Sequence, residues 1–121
     1  MTSFAGKTVI VTGAGKGIGR ATALMLASRG AQVIALSRSA EDLDALAKAA
    51  GSRCIAVDLA EADATRRAAE EAMPADLLVN CAGTTELEPF LETSIENFDL
   101  LHALNMLAPL IVSQAANAVM Q

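Results

Sequence analysis

Residues 8–30 read TVIVTGAGKGIGRATALMLASRG, and this stretch decides the fold. It opens as a short β-branched apolar run, passes through a glycine-rich turn, and continues with apolar residues at near-helical spacing (Ile18, Ala21, Leu24, Met25) until Gly30. A strand over 7–12, a tight turn and a helix over 18–29 are therefore expected. The turn does not fit a P-loop. Gly6-Lys7-Thr8 has that motif's ending, but Met1 stands at its first position and the triplet precedes a strand. The spacing G-x-G-x-x-G also fails, because the third glycine would fall on Ile18 or on Arg20. What fits is G-x3-G-x-G, made by Gly13, Gly17 and Gly19, with Gly15 between them. Gly13 turns the chain off the strand, Gly17 admits a pyrophosphate to the backbone, and Gly19 lets the helix pack close to the sheet. The helix N–H groups and dipole then face the phosphates. The competing reading is a glycine turn without a ligand.

Outward from this stretch, strand and helix patterns alternate. Residues 32–36 (QVIAL), 54–57 (CIAV) and 76–79 (DLLV) read as strands. Residues 41–50 read as a helix with Ser39 as N-cap and Gly51 as its stop, and 60–72 as a helix ending before Pro74. Thr93-Ser94-Ile95-Glu96 reads as a capping box opening a long helical tract. Short, continuously apolar strands alternating with helices predict an α/β fold. It is a Rossmann-like, doubly wound parallel sheet in three α/β/α layers, with strand order 3-2-1-4.

Composition bounds the function. The chain has 121 residues, 53% of them apolar, and a net charge of −5, which argues against a nucleic-acid or anionic-membrane surface. It contains no 18-residue apolar run, so no membrane span is expected. Cys54 and Cys81 have no metal-ligand spacing, so no metal is expected, and two thiols without a framework fit a cytoplasmic setting.

Four motifs together resemble the short-chain dehydrogenase/reductase family. Thr12–Gly19 resembles its cofactor motif, Asn80-Cys81-Ala82-Gly83 its Asn-Asn-Ala-Gly, Asp58-Leu59 the place of its adenine-contacting Asp, and Asn105 its catalytic-helix Asn. Within the family the chain most resembles the carbonyl and xylulose reductases. Asp58 also begins Asp58-x-x-Glu61, a possible helix cap. Strand two ends in Ser37-Arg38-Ser39 with no acid before Glu41, so Arg38, joined by Lys16, suits a 2′-phosphate and hence NADP(H) over NAD(H). The competing reading makes both of them solvated charges. The expected cofactor set also takes in Ile18, Leu59, Asn80, Ala82 and Gly83. Pro109 lacks the N–H that would bond the Asn105 carbonyl, predicting a helix kink there. The resemblance gives that carbonyl a water in a proton relay.

The family's general acid/base is a Tyr with a Lys four residues on and a substrate-orienting Ser. This chain has no Tyr, and the resemblance ends at Gln121, inside the helix before those residues. The resemblance thus implies the N-terminal half of a hydride-transfer enzyme acting on small carbonyls or alcohols. The half alone is expected to be inactive; a non-catalytic dinucleotide-binding module is the alternative. The resemblance further implies a dimer or tetramer built on the long helix. Phe90, Phe98 and Leu101 are expected in the core.

Overall fold

In the computed structural model, which describes residues 3–83 and 90–120, four parallel strands carry the fold. They are β1 (Thr8–Thr12), β2 (Gln32–Ser37), β3 (Arg53–Ala56) and β4 (Leu77–Asn80). The sheet order is β3-β2-β1-β4, as the strand pattern predicts. Ile10 is in register with Ile34 on one side and Leu78 on the other. β1 and β2 are buried almost throughout, as central strands of a doubly covered sheet must be. β3 and β4 are the edges and only half-buried, so the continuous burial expected of every strand holds for the central pair alone.

Helices α1 (Gly17–Ser28), α2 (Ala40–Ala50) and α3 (Ala62–Ala72) cross between the strands. One face of the sheet packs Val9, Val11, Val33 and Ala35 against Ala23 and Leu26 of α1 and Leu43 and Leu46 of α2. The other packs Ile10, Ile34 and Leu36 against Ala68 and Ala72 of α3 and Ala108 of the C-terminal helix. The apolar spacing in α1 misled in one respect. Its buried face is Gly19, Ala23 and Leu26, whereas Ile18 is 81% exposed and Met25 49%. Gly19, whose Cβ would press on Gly13 and Cys81, and Ala23 let this helix pack close to the sheet.

Ser39 caps α2 by accepting the Asp42 N–H at 3.2 Å, and Gly51 ends that helix in the left-handed region at φ 66°. Ser39→Ala should cost about 1 kcal/mol, read as a lowered unfolding midpoint. α3 begins at Ala62, two residues later than expected, with Glu61 as N-cap. Asp58 does not cap it. Its Oδ1 accepts the Ala60 N–H at 3.0 Å and so closes a turn ahead of the helix.

The C-terminal tract comprises α4 (Ile95–His102), a π-helical turn (Ala103–Leu107) and α5 (Ala108–Met120). Ser94, not Thr93, is the N-cap, accepting the Asn97 N–H at 3.0 Å. The break expected from Pro109 takes the form of the π turn, in which the Ala108 N–H bonds the Ala103 carbonyl. One extra residue is accommodated just before a position that cannot donate. Ala108, Ile111, Val112 and Ala116 are buried, while Phe98, expected in the core, is 59% exposed and stacks on His102. Leu101 is half-buried, and the Phe90 side chain lies outside the described residues. Ile95–Met120 runs 26 residues and contains an 18-residue window of mean hydropathy 1.3, long and apolar enough to cross a membrane by length and composition alone. The absence of an 18-residue apolar run had argued otherwise. Its buried face nevertheless closes the core under the sheet.

Candidate cofactor site

The site lies where the strands end. Successive carboxyl ends of β1, β2 and β4 release the chain into the glycine turn, the Ser37–Ser39 corner and the Cys81–Gly83 segment. In an open parallel sheet the crevice beyond the strand ends, where strand order reverses, is the ligand position. A cleft of about 490 Å³ occupies it.

Thr12 joins two of the three segments. Its hydroxyl, buried at the end of β1, accepts the Cys81 N–H at 3.1 Å and the Ala82 N–H at 3.2 Å. Thr12→Val keeps the shape but strands two donors. It should cost about 2–4 kcal/mol in chemical denaturation.

The glycines then have distinct reasons. Gly13 has φ 65°, and a Cβ on it would lie 2.7 Å from both the backbone nitrogen and Cα of Ala82. A Cβ on Gly19 would land on the Gly13 carbonyl oxygen and lie 2.8 Å from its carbon. These two hold the turn, helix and β4 end in close backbone contact. Gly17, with φ 57°, faces open space: nothing lies within 4 Å of its Cβ position. Gly15, which the spacing left without a part, is small because Ser37 Oγ and Asp42 Cβ lie 2.7 and 3.1 Å from where its Cβ would be. α1 starts at Gly17 without a side-chain cap, so its first N–H groups point out of the turn as donors for an anion.

Of the residues expected at a cofactor, the cleft wall brings together Gly13, Lys16, Ser37, Arg38, Ser39, Asp58, Leu59, Ala82 and Gly83. Gly15, Gly17, Ile18 and Gly19 lie in the adjoining turn and first helical residues. Asn80 points elsewhere: its Nδ2 donates to Ser113 Oγ at 3.4 Å and ties β4 to α5. Asn105 stands beside the Cys81–Gly83 segment, its Oδ1 2.8 Å from the Cβ position of Gly83.

Sequence reasoning missed Asp42, Val57, Ala60, Leu100 and Leu104, which also line the cleft. Val57 and the two leucines supply an apolar wall suited to a planar ring. Asp42 was legible in principle, because it sits three residues after the Ser39 cap and so on the same end of α2. Its Oδ2 lies 3.7 Å from Lys16 Nζ. The residues present thus fit a dinucleotide in kind: uncapped helical donors and open space over Gly17, apolar walls, and two cations, Lys16 in the glycine turn and Arg38 just after β2.

A profile described as short chain dehydrogenase matches residues 7–121. The chain is 48% identical over 112 residues to L-xylulose reductase of Mesocricetus auratus, covering 92% of this chain and 46% of that protein. It is 42% identical over 113 residues to carbonyl reductase [NADPH] 2 of Sus scrofa, covering 93% and 46% respectively. It therefore spans about half the length of the curated relatives it matches. A solved metagenomic short-chain oxidoreductase in complex with NADP superposes with a TM-score of 0.90 at 34% identity, covering 98% of this chain and 58% of that one.

Proposed function

This chain belongs to the short-chain dehydrogenase family, and on that footing we propose that it forms the NADP(H)-binding part, over residues 1–121, of a reductase acting on small carbonyl or alcohol substrates. The observation that carries the reading is the cleft at the strand ends, lined by Lys16 of the glycine turn and by Arg38 just after β2, with the uncapped start of α1 adjoining it. The bound nicotinamide cofactor would supply hydride. The chain's own residues hold it: N–H groups of Gly17 and the following turn bind the pyrophosphate, and Asp58 with Leu59 flanks the adenine. Lys16 and Arg38, supported by Ser37 and Ser39, take the 2′-phosphate.

Asn105 orients a water through its main chain beside Gly83. No tyrosine is present among the 121 residues, so the proton donor that the family resemblance implies is not carried here, and residues 1–121 alone give no turnover. A dinucleotide-binding module without catalysis is the second reading. The decisive test titrates the whole protein with NADPH and NADH and assays NADPH oxidation against a panel of carbonyl compounds. Tighter NADPH binding with turnover supports the reductase; binding without turnover supports the module; equal affinity for the two cofactors defeats the NADP(H) assignment.

Assembly is placed on the long C-terminal tract, as a homodimer or homotetramer. Phe98, Met106 and Leu110 are exposed apolar residues along it, an arrangement suited to two-fold pairing. Met106→Glu with Leu110→Glu should lower the mass measured by light scattering to that of a smaller species. An unchanged mass would move the interface elsewhere. A cytoplasmic setting, with neither nucleic acid nor membrane as partner, completes the proposal.

A further inference from the structure

One of the two cations assigned to the 2′-phosphate already has a carboxylate beside it. Lys16 Nζ and Asp42 Oδ2 are 3.7 Å apart, on different elements that meet at the cleft. The two side chains differ in freedom. Lys16 is 83% exposed on a long, flexible stem. Asp42 is 28% exposed, its backbone N–H is held by the Ser39 cap at 3.2 Å, and its Cβ packs over Gly15. The carboxylate is thus fixed on the cleft wall, and the ammonium is the partner that can swing.

We propose that Asp42 is a specificity-determining residue of this site: it competes with the dinucleotide's 2′-phosphate for Lys16 and thereby limits the preference for the phosphorylated cofactor. The inference rests on the assignment of Lys16 and Arg38 made above. A 2′-hydroxyl makes no demand on the ammonium, so the Lys16–Asp42 pair persists beside an unphosphorylated ribose. A 2′-phosphate must draw Lys16 away, and it then meets a fixed carboxylate with its own negative charge. Both effects oppose NADPH and neither opposes NADH. Because the pair is partly exposed, the competition is modest and salt-sensitive.

The test uses the whole protein and fluorescence titration with NADPH and NADH. Asp42→Asn keeps the side-chain shape and the capped N–H. It should tighten NADPH binding by about five- to ten-fold at low salt, leave NADH within about two-fold, and gain less at high salt. Asp42→Ser removes the charge with a different side chain and should give the same direction. Combined with Lys16→Met, the gain from Asp42→Asn should shrink, since the contested cation is gone. Unchanged or weakened NADPH binding in both Asp42 variants would overturn the proposal, as would a gain of equal size in the Lys16→Met background. The underlying assignment fails separately, if Lys16→Met and Arg38→Ala each leave the NADPH-to-NADH affinity ratio unchanged.

Discussion

Gly19→Val should abolish NADPH binding and destabilise the protein by about 4 kcal/mol, among the larger effects a single substitution produces. Its Cβ would stand far inside contact distance of the Gly13 carbonyl oxygen, a backbone atom that cannot rotate away. Gly13 in turn touches the Ala82 backbone and donates its N–H to the Leu36 carbonyl at 2.8 Å. A side chain at position 19 therefore pushes the turn against two strand ends at once. From the glycine spacing alone, valine at either position is expected to block a ligand while the fold persists. The backbone contacts argue that both are lost together. Gly17→Ala is the contrasting variant. Its Cβ meets only open space, so the stability cost is the left-handed conformation alone, about 1–2 kcal/mol, whereas a pyrophosphate approaching that backbone would meet the new methyl. Thermal unfolding and NADPH titration of the two variants separate the roles. A Gly19→Val protein with unaltered stability, or a Gly17→Ala protein with unaltered NADPH affinity, would contradict the division made here.

The sheet was legible because its signals are redundant. Each strand is a short apolar run bounded by turn residues, and each crossover helix has a stop that does not depend on burial, such as Gly30, Gly51 and Pro74. Burial within helices was less legible. α1 turns Gly19, Ala23 and Leu26 inward and leaves Ile18 and Met25 on its outer face, so the apolar spacing did not mark the buried face. Phe98 misled for a related reason: α4 has no buried residue at all. The glycine motif, Arg38 and the strand-four segment were found because each is a local pattern at a strand end. Asp42, in the first turn of α2, and Leu104, in the π-helical turn, reach the same cleft from helical elements whose facing is set by packing rather than by a local strand-end pattern. Asn80 shows the converse. A motif position adjacent to the cleft in sequence directs its side chain to Ser113 instead.

Arg38→Asp should invert the cofactor preference of the whole protein. Arg38 follows Ser37, the last residue of β2, and lies exposed on the cleft wall before the Ser39 cap. That corner is where a strand-end carboxylate ordinarily accepts the ribose 2′-hydroxyl, and where a guanidinium suits a 2′-phosphate. Replacing the cation by an acid removes a charge-assisted contact and adds repulsion against a dianion. NADPH affinity should fall about 10- to 100-fold. NADH affinity should hold or rise a few-fold, because the new carboxylate can accept the 2′-hydroxyl. Arg38→Ala should give the first effect without the second, separating lost attraction from gained acceptance. Because the contact is exposed, the loss should shrink as ionic strength rises. The measurements are cofactor dissociation constants by fluorescence titration and, where turnover is found, kcat/KM for each cofactor. If the unmutated protein binds both cofactors equally, or Arg38→Asp weakens them equally, Arg38 is an ordinary solvated charge and the selectivity must be sought elsewhere on the cleft.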